Sequence, residues 1–226
     1  MCGRFFLTVS GEEIRQRFRC VNTIDWQPRY NVAPSQPIPA VLPHEGRRRL
    51  ETLRWGLIPF WAKDEAIGQR LVNARAETLA ERPAFREALK RRRCLIPASG
   101  FYEWRRTDRH KQPYAIRRRD GDLMAFAGLW ERWRHPDSGE ECLSCIIITT
   151  DANRLLRPLH RRMPAILEEA YWDQWLDPAA PDPQTLLGPC REEILEAYPV
   201  SPYVNNPRND DPRCLEPLQP TEALFG

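Results

Sequence analysis

The run CLSCIIITT at residues 142–150 sets three consecutive isoleucines before two threonines. β-Branched side chains lose rotamer freedom in a helix and pack well on a pleated surface. The run is apolar without alternating, which marks a strand covered on both faces. Such a strand needs partners, and the chain supplies them. Residues 94–106, CLIPASGFYEWRR, have the β-branched and aromatic content of a strand broken at Pro97 and Gly100. Residues 113–133 read as a hairpin about Asp120-Gly121. Residues 48–62 begin as a strand and end in a tryptophan-rich loop, while YNVAPSQPIPAVLP at 30–43 spaces its prolines along an extended, irregular strand.

Helix signals are fewer. Ser10 and Glu13 have the form of a capping box opening EEIRQRF, and RPAFREALKRRR puts Phe85 and Leu89 on one face with a basic C-terminal tail. A short helix ANRLLRPL capped by Asp151, an amphipathic helix EEAYWDQWL, a helix near CREEILEAY and a strand near YPVSPYV complete the expected elements. Strands outnumber helices and do not alternate with them. The fold class expected is α+β, a single domain with a mainly antiparallel, barrel-like sheet flanked by helices. No repeat or linker divides the 226 residues, so one domain spans 1–226.

Apolar residues make up 42% of the chain and charged residues 29%, enough for a core without the bias of a disordered segment. No run has the length of a membrane span, and MCGRFF passes into VSGEEIRQRF without an apolar signal region. The seven cysteines are odd in number and scattered, so a disulfide framework is not expected. The protein reads as cytoplasmic. Net charge is only +3, but of 34 basic residues only Lys63, Lys90 and Lys111 are lysines. Biased codon usage explains such a preference; so does phosphate binding, because a guanidinium grips phosphate oxygens in pairs.

Several residues could carry chemistry. Cys2 would bear a free α-amine beside its thiol once Met1 is trimmed. An α-amine titrates near pH 7.7–8.0, so part of it is neutral at pH 7. A neutral amine condenses with an aldehyde, and the adjacent thiol can close a five-membered ring on the imine carbon, which a lysine cannot do. The alternative is a Met-Cys start without chemical meaning. Asn73, Arg75 and Glu77 share a face if NARAETL is extended; otherwise Asn73 caps a helix. Glu103, between two aromatics, lies either on a solvent face or buried as a proton acceptor with a raised pKa. His160 sits among Arg157, Arg161 and Arg162, whose charge favours the neutral imidazole. Cys142 and Cys145 have a Cys-x-x-Cys spacing, but a strand would point them apart and no second pair completes a zinc site. Trp55, Phe60 and Trp61 crowd a Pro/Gly loop, where an exposed tryptophan could stack on a base.

The ordered set MCGRF, YNVAPSQ, RWGLIPFWAKD, NARAET, CLIPASGFYEW, FAGLWE, IIITTDAN and His160 with RMPAIL resembles the SOS-response-associated peptidase (SRAP) family of abasic-site processing proteins. The resemblance covers residues 2–176, with 177–226 matching more loosely. It implies that Met1 is removed and that Cys2 forms a Schiff base, then a thiazolidine, with the ring-opened deoxyribose of an abasic site in single-stranded DNA. The crosslink would shield the lesion in the DNA damage response. By the same resemblance Asn73 orients the adduct, Glu103 moves protons, and His160 assists imine formation and reversal. Arg4, Arg75 and Arg162 contact phosphates, with Trp55 and Trp61 as further DNA-binding candidates. An associated lyase and a self-processing peptidase activity are implied too. Neither cofactor nor metal is expected, nor a membrane partner; the protein would be monomeric, cytoplasmic and nucleoid-associated when on DNA. Two alternatives remain: a glutamine amidohydrolase with Cys2 as nucleophile, and a non-enzymatic single-stranded DNA binder.

Overall fold

A computed structural model describes residues 2–106 and 111–218. Among them, the strands are β1 (Phe5–Leu7), β2 (Arg29–Val32), β3 (Pro37–His44), β4 (Arg47–Trp55), β5 (Asn73–Arg75), β6 (Arg93–Ala98), β7 (Gly100–Arg106), β8 (Lys111–Arg118), β9 (Met124–Arg134), β10 (Glu141–Asp151), β11 (Arg162–Pro164) and β12 (Leu195–Pro199). The α-helices are α1 (Gly11–Phe18), α2 (Pro83–Arg91) and α3 (Trp172–Leu176).

Five strands close a ring. β10 pairs β4 in parallel; β4–β3, β3–β6, β6–β9 and β9–β10 are antiparallel. Closure gives each of the five strands a partner on both sides, though β3 meets β6 at one residue pair and β10 meets β4 at two. The isoleucine run becomes the centre of β10, buried from Ser144 to Thr150 and exposed only at its ends. A second, five-stranded sheet runs β12-β8-β7-β1-β2, antiparallel throughout. This is the expected α+β architecture with a barrel-like sheet.

The two sheets are joined at Ser99, the single residue between β6 and β7. Glycine is required just beyond it: a Cβ at Gly100 would meet Phe6 Cζ at 2.2 Å and the Ile116 carbonyl oxygen at 2.4 Å. Across the junction the core is aromatic, with Phe5 5.3 Å from Trp55 and 6.3 Å from Phe126, ring centre to ring centre. The helices cover the outside. Ser10 and Glu13 form the reciprocal capping box of α1, and Phe18 at its end stacks on Trp172 of α3 at 4.5 Å.

Four sequence expectations are corrected. Asp120-Gly121 does make a turn, with Gly121 at φ +74°, but β8 and β9 do not pair with each other. β8 joins β7 and β12, and β9 joins β6 and β10. β9 is buried along most of its length and so belongs inside the barrel, a burial that a two-stranded hairpin could not provide. ANRLLRPL forms turns, not a helix. Pro158 lacks an N–H and restricts Arg157, and Asp151 ends β10 instead of capping, leaving Asn153 Oδ1 to accept the Leu156 N–H at 3.1 Å. CREEILEAY makes only one 3-10 turn, Glu192–Ile194, before β12 takes the open edge of β8. The strand expected near YPVSPYV ends at Pro199, and Pro202–Asn205 turn as a 3-10 helix.

Candidate nucleic-acid interface

The last half-turn of β10 organises the site, because it carries a short strand on each side. β5 runs parallel to it, with Asn73 opposite Ile147 and Arg75 opposite Thr149. β11 runs antiparallel, with Arg162 opposite Asp151. NARAETL is thus extended over Asn73–Arg75, which puts Asn73 and Arg75 on the same face of β5; Glu77 follows in a 3-10 turn.

Cys2 is fully buried. Its carbonyl oxygen accepts a hydrogen bond from Asn73 Nδ2 at 2.8 Å, while Asn73 Oδ1 is buried and has no partner among the described residues. Glu103, on β7, is also buried. Burial pushes the Cys2 thiol up, and the Glu103 carboxylate pushes it further. Burial likewise raises Glu103. The site therefore sets a Cys2 thiol that keeps its proton beside a Glu103 carboxyl group that holds its own unusually well.

Asn73 and Glu103 are near neighbours in sequence of Arg75 and Trp104, which line an open cleft of about 700 Å³. Arg106, Arg157, Arg161, Arg162 and His160 continue its wall, with Asp151 the only lining carboxylate among the described residues. Arg75 is exposed, and its side chain makes no hydrogen bond or ion pair with other described residues. His160 Nδ1 accepts the Arg162 N–H at 2.9 Å, which leaves Nε2 to carry the proton of the neutral ring. The pKa of His160 is lowered mainly by burial, and Arg106 and Arg162 add to the effect.

The arginine candidates differ in their commitments. Arg4 Nη1 donates to Asn31 Oδ1 at 2.7 Å and to the Val204 carbonyl at 3.1 Å. Arg162 is largely enclosed: Nη1 lies 2.8 Å from Glu77 and 2.7 Å from Asp151, and Nη2 donates to Glu77 and to the Thr149 carbonyl. A phosphate at Arg162 would compete with two carboxylates. Of the two tryptophans, Trp61 is half exposed, beside an exposed Phe60. Trp55 has no exposed surface; its ring packs on Phe5 and its Nε1 donates to the Val72 carbonyl at 2.9 Å. It is therefore a core residue and presents no face to a base, which corrects the sequence reading.

Sequence reasoning missed Trp104, whose partly exposed ring lines the cleft and whose Nε1 donates to Asn205 Oδ1 at 2.7 Å. The signal was present in EWRR, where β7 leaves the core and a tryptophan is followed by two exposed arginines. Cys142 is half-buried and Cys145 buried, both as free thiols. Among the described residues no group of three or more His, Cys, Asp or Glu side chains could hold a metal ion, and no helix is long and apolar enough to cross a membrane.

The fold has counterparts among solved structures. A protein from Bacteroides thetaiotaomicron of known crystal structure superposes with a TM-score of 0.88 at 28% identity, covering 96% of this chain and 100% of that one. A Bordetella bronchiseptica protein aligns with a TM-score of 0.79 over 88% of this chain and 100% of its own. In sequence, the abasic site processing protein YoqW of Bacillus subtilis is 46% identical over 223 residues, 96% of this chain and 99% of that protein. The abasic site processing protein HMCES of Xenopus tropicalis is 30% identical over 262 aligned residues, 95% of this chain and 78% of its own length. The family model described as SOS response associated peptidase (SRAP) matches residues 1–207. With a match running from residue 1 through both sheets and the cleft, this chain belongs to the SRAP family.

Proposed function

We propose that this protein processes abasic sites in single-stranded DNA by capturing the exposed sugar aldehyde on Cys2 once Met1 has been removed. The observation that carries the reading is the seating of residue 2: its carbonyl is tied to Asn73 at 2.8 Å and its thiol lies in the field of Glu103, on strands that also line an arginine-walled cleft. The names of the relatives, abasic site processing proteins, agree with it.

The α-amine of Cys2 attacks the aldehyde carbon, and the carbinolamine loses water to give an imine. The thiol sulfur then adds to the imine carbon, and its proton passes to the ring nitrogen. One water is released overall. A thiol held protonated by burial is a poor nucleophile, so the second step needs a base beside it. Glu103, whose raised pKa makes its carboxylate more basic than an exposed one, is that base. His160, neutral by burial, gives and takes protons at Nε2 during dehydration and its reversal. Asn73 fixes the terminal residue against rotation. Arg75 and Arg4 hold phosphates, Arg162 would join them only by exchanging Glu77 and Asp151 for a phosphate, and Trp61 offers a face to a base. The same imine is the branch point for a lyase reaction, and removal of Met1 is the one self-processing step the chemistry requires. Asn73 Oδ1, buried without a partner, is an acceptor for the adduct.

Denaturing electrophoresis with an abasic oligonucleotide tests the reading. The wild type should give a heat-stable adduct without added reductant, and Cys2→Ala, which keeps an amine but no thiol, should give none. An equal adduct from Cys2→Ala would overturn it, as would a wild type that binds abasic DNA but never forms the adduct.

A further inference from the structure

Arg4 is held by more of the molecule than a surface phosphate contact needs. Its Nη1 donates to Asn31 Oδ1, and Asn31 is itself fully buried on β2. The Asn31 amide group spends its donors on the C-terminal segment: Nδ2 lies 3.1 Å from the Val204 carbonyl, 3.1 Å from that of Asn206 and 2.6 Å from that of Asn209. Asp210 closes the loop by accepting the backbone N–H groups of Tyr30 and Asn31 at 2.6 and 2.9 Å. From the other side the Arg4 guanidinium lies 5.9 Å from the centre of the Trp104 ring, and Trp104 is pinned by Asn205 of the same segment. Arg4 Nε is buried without a partner, and no hydrogen bond engages Nη2 among the described residues.

We infer that Asn31 is a positioning residue for DNA: it locks Arg4 to the C-terminal segment 204–210, so that the guanidinium meets a phosphate with its geometry already fixed. The inference rests on Arg4 taking a phosphate as in the reading above, and adds the device that holds it there. The physical reason is entropic. An arginine side chain has many rotamers, and a contact formed by a mobile one must first order it. Bonding one Nη to two acceptors and placing the ring of Trp104 alongside orders Arg4 before DNA arrives. A side-chain amide suits the task because its oxygen receives Arg4 while its nitrogen binds backbone carbonyls. A carboxylate at the same position would face those carbonyls with no proton to offer.

The test is the salt dependence of binding to an abasic single strand, read for Asn31→Ala, Arg4→Ala and the double variant. Each phosphate contact on a single strand contributes roughly 0.7 to the slope of log affinity against log salt. Arg4→Ala should lower the slope by about 0.7, and Asn31→Ala should lower it by nearly as much and weaken binding by about tenfold at low salt. The double variant should bind no more weakly than Arg4→Ala. A purely structural role would lower the fraction of active protein without changing the slope. If circular dichroism shows Asn31→Ala unfolded, Asp210→Ala, which frees the same segment from β2, should reproduce the loss of slope. An unchanged slope in a folded Asn31 or Asp210 variant, beside a lowered slope in Arg4→Ala, overturns the inference. An unchanged slope in Arg4→Ala overturns the phosphate role of Arg4 itself.

Discussion

Replacing Asn73 with alanine separates positioning from folding. The side chain makes one neutral hydrogen bond, to the Cys2 carbonyl at 2.8 Å, of a kind worth about 0.5–1.5 kcal/mol net. It also carries a cost, because its Oδ1 is buried without a partner and an unsatisfied buried acceptor costs about 1–3 kcal/mol. Alanine removes both. The two terms offset in part, but the Cys2 carbonyl is left without its donor, so global stability should fall by about 1 kcal/mol, a shift in Tm of about 2–4 °C for a chain of this size. The effect at Cys2 is not offset. Losing about 1 kcal/mol of orientation at the reacting residue slows a unimolecular step about fivefold. The assay is the rate of heat-stable adduct formation with excess abasic oligonucleotide, with a thermal melt of the same preparation. A wild-type rate alongside a large drop in Tm would refute the reasoning, because Asn73 would then be a structural clamp with no bearing on capture.

Glu103→Gln should remove the acid limb of the crosslinking pH–rate profile. A carboxyl group with a raised pKa loses its basic form as pH falls through that raised value, so the wild-type rate should fall at higher pH than an ordinary glutamate would dictate; an identical acid limb in the variant would contradict the assignment. Trp55→Ala should cost about 3–5 kcal/mol of stability, the usual penalty for emptying a buried aromatic site, whereas Trp61→Ala should leave the melt unchanged and weaken DNA binding by up to about 1–3 kcal/mol. Equal melting temperatures for the two variants would show the burial assignment to be wrong. Gly56→Ala should destabilise by roughly 1–3 kcal/mol, because Gly56 has φ +135° and an added Cβ would lie 2.6 Å from the Gly68 carbonyl oxygen; a wild-type melt would argue against that backbone.

What the sequence disclosed and what it hid divide along the range of the interaction. The capping box of α1 is a four-residue device, and Ser10 with Glu13 announced it. The burial of β10 was legible because three isoleucines in a row leave no polar face. Pairing partners were not, since they are set by which surfaces remain open after the barrel closes: the turn at Asp120-Gly121 was correctly located, yet its two flanking strands part into different sheets. Trp55 and Trp61 stand six residues apart in one motif, and long-range contacts of the former, with the Phe5 ring and the Val72 carbonyl, distinguish core from surface. At the site, residue types were readable but their companions were not. Glu103 between aromatics read more readily as a solvent-face residue than as the buried one it is, and Cys2 meets Asn73 across 71 positions. Arg162 looked available for phosphate, but carboxylates 85 and 11 residues away occupy it.

Intact mass spectrometry of the purified protein before and after mixing with abasic single-stranded DNA tests the central claim most directly. The free protein should be lighter than the translated chain by one methionine residue, and the adduct should weigh the sum of that protein and the oligonucleotide less one water. A stable adduct formed by protein that still carries Met1 would contradict the account, because its residue 2 would then offer an amide nitrogen in place of an amine.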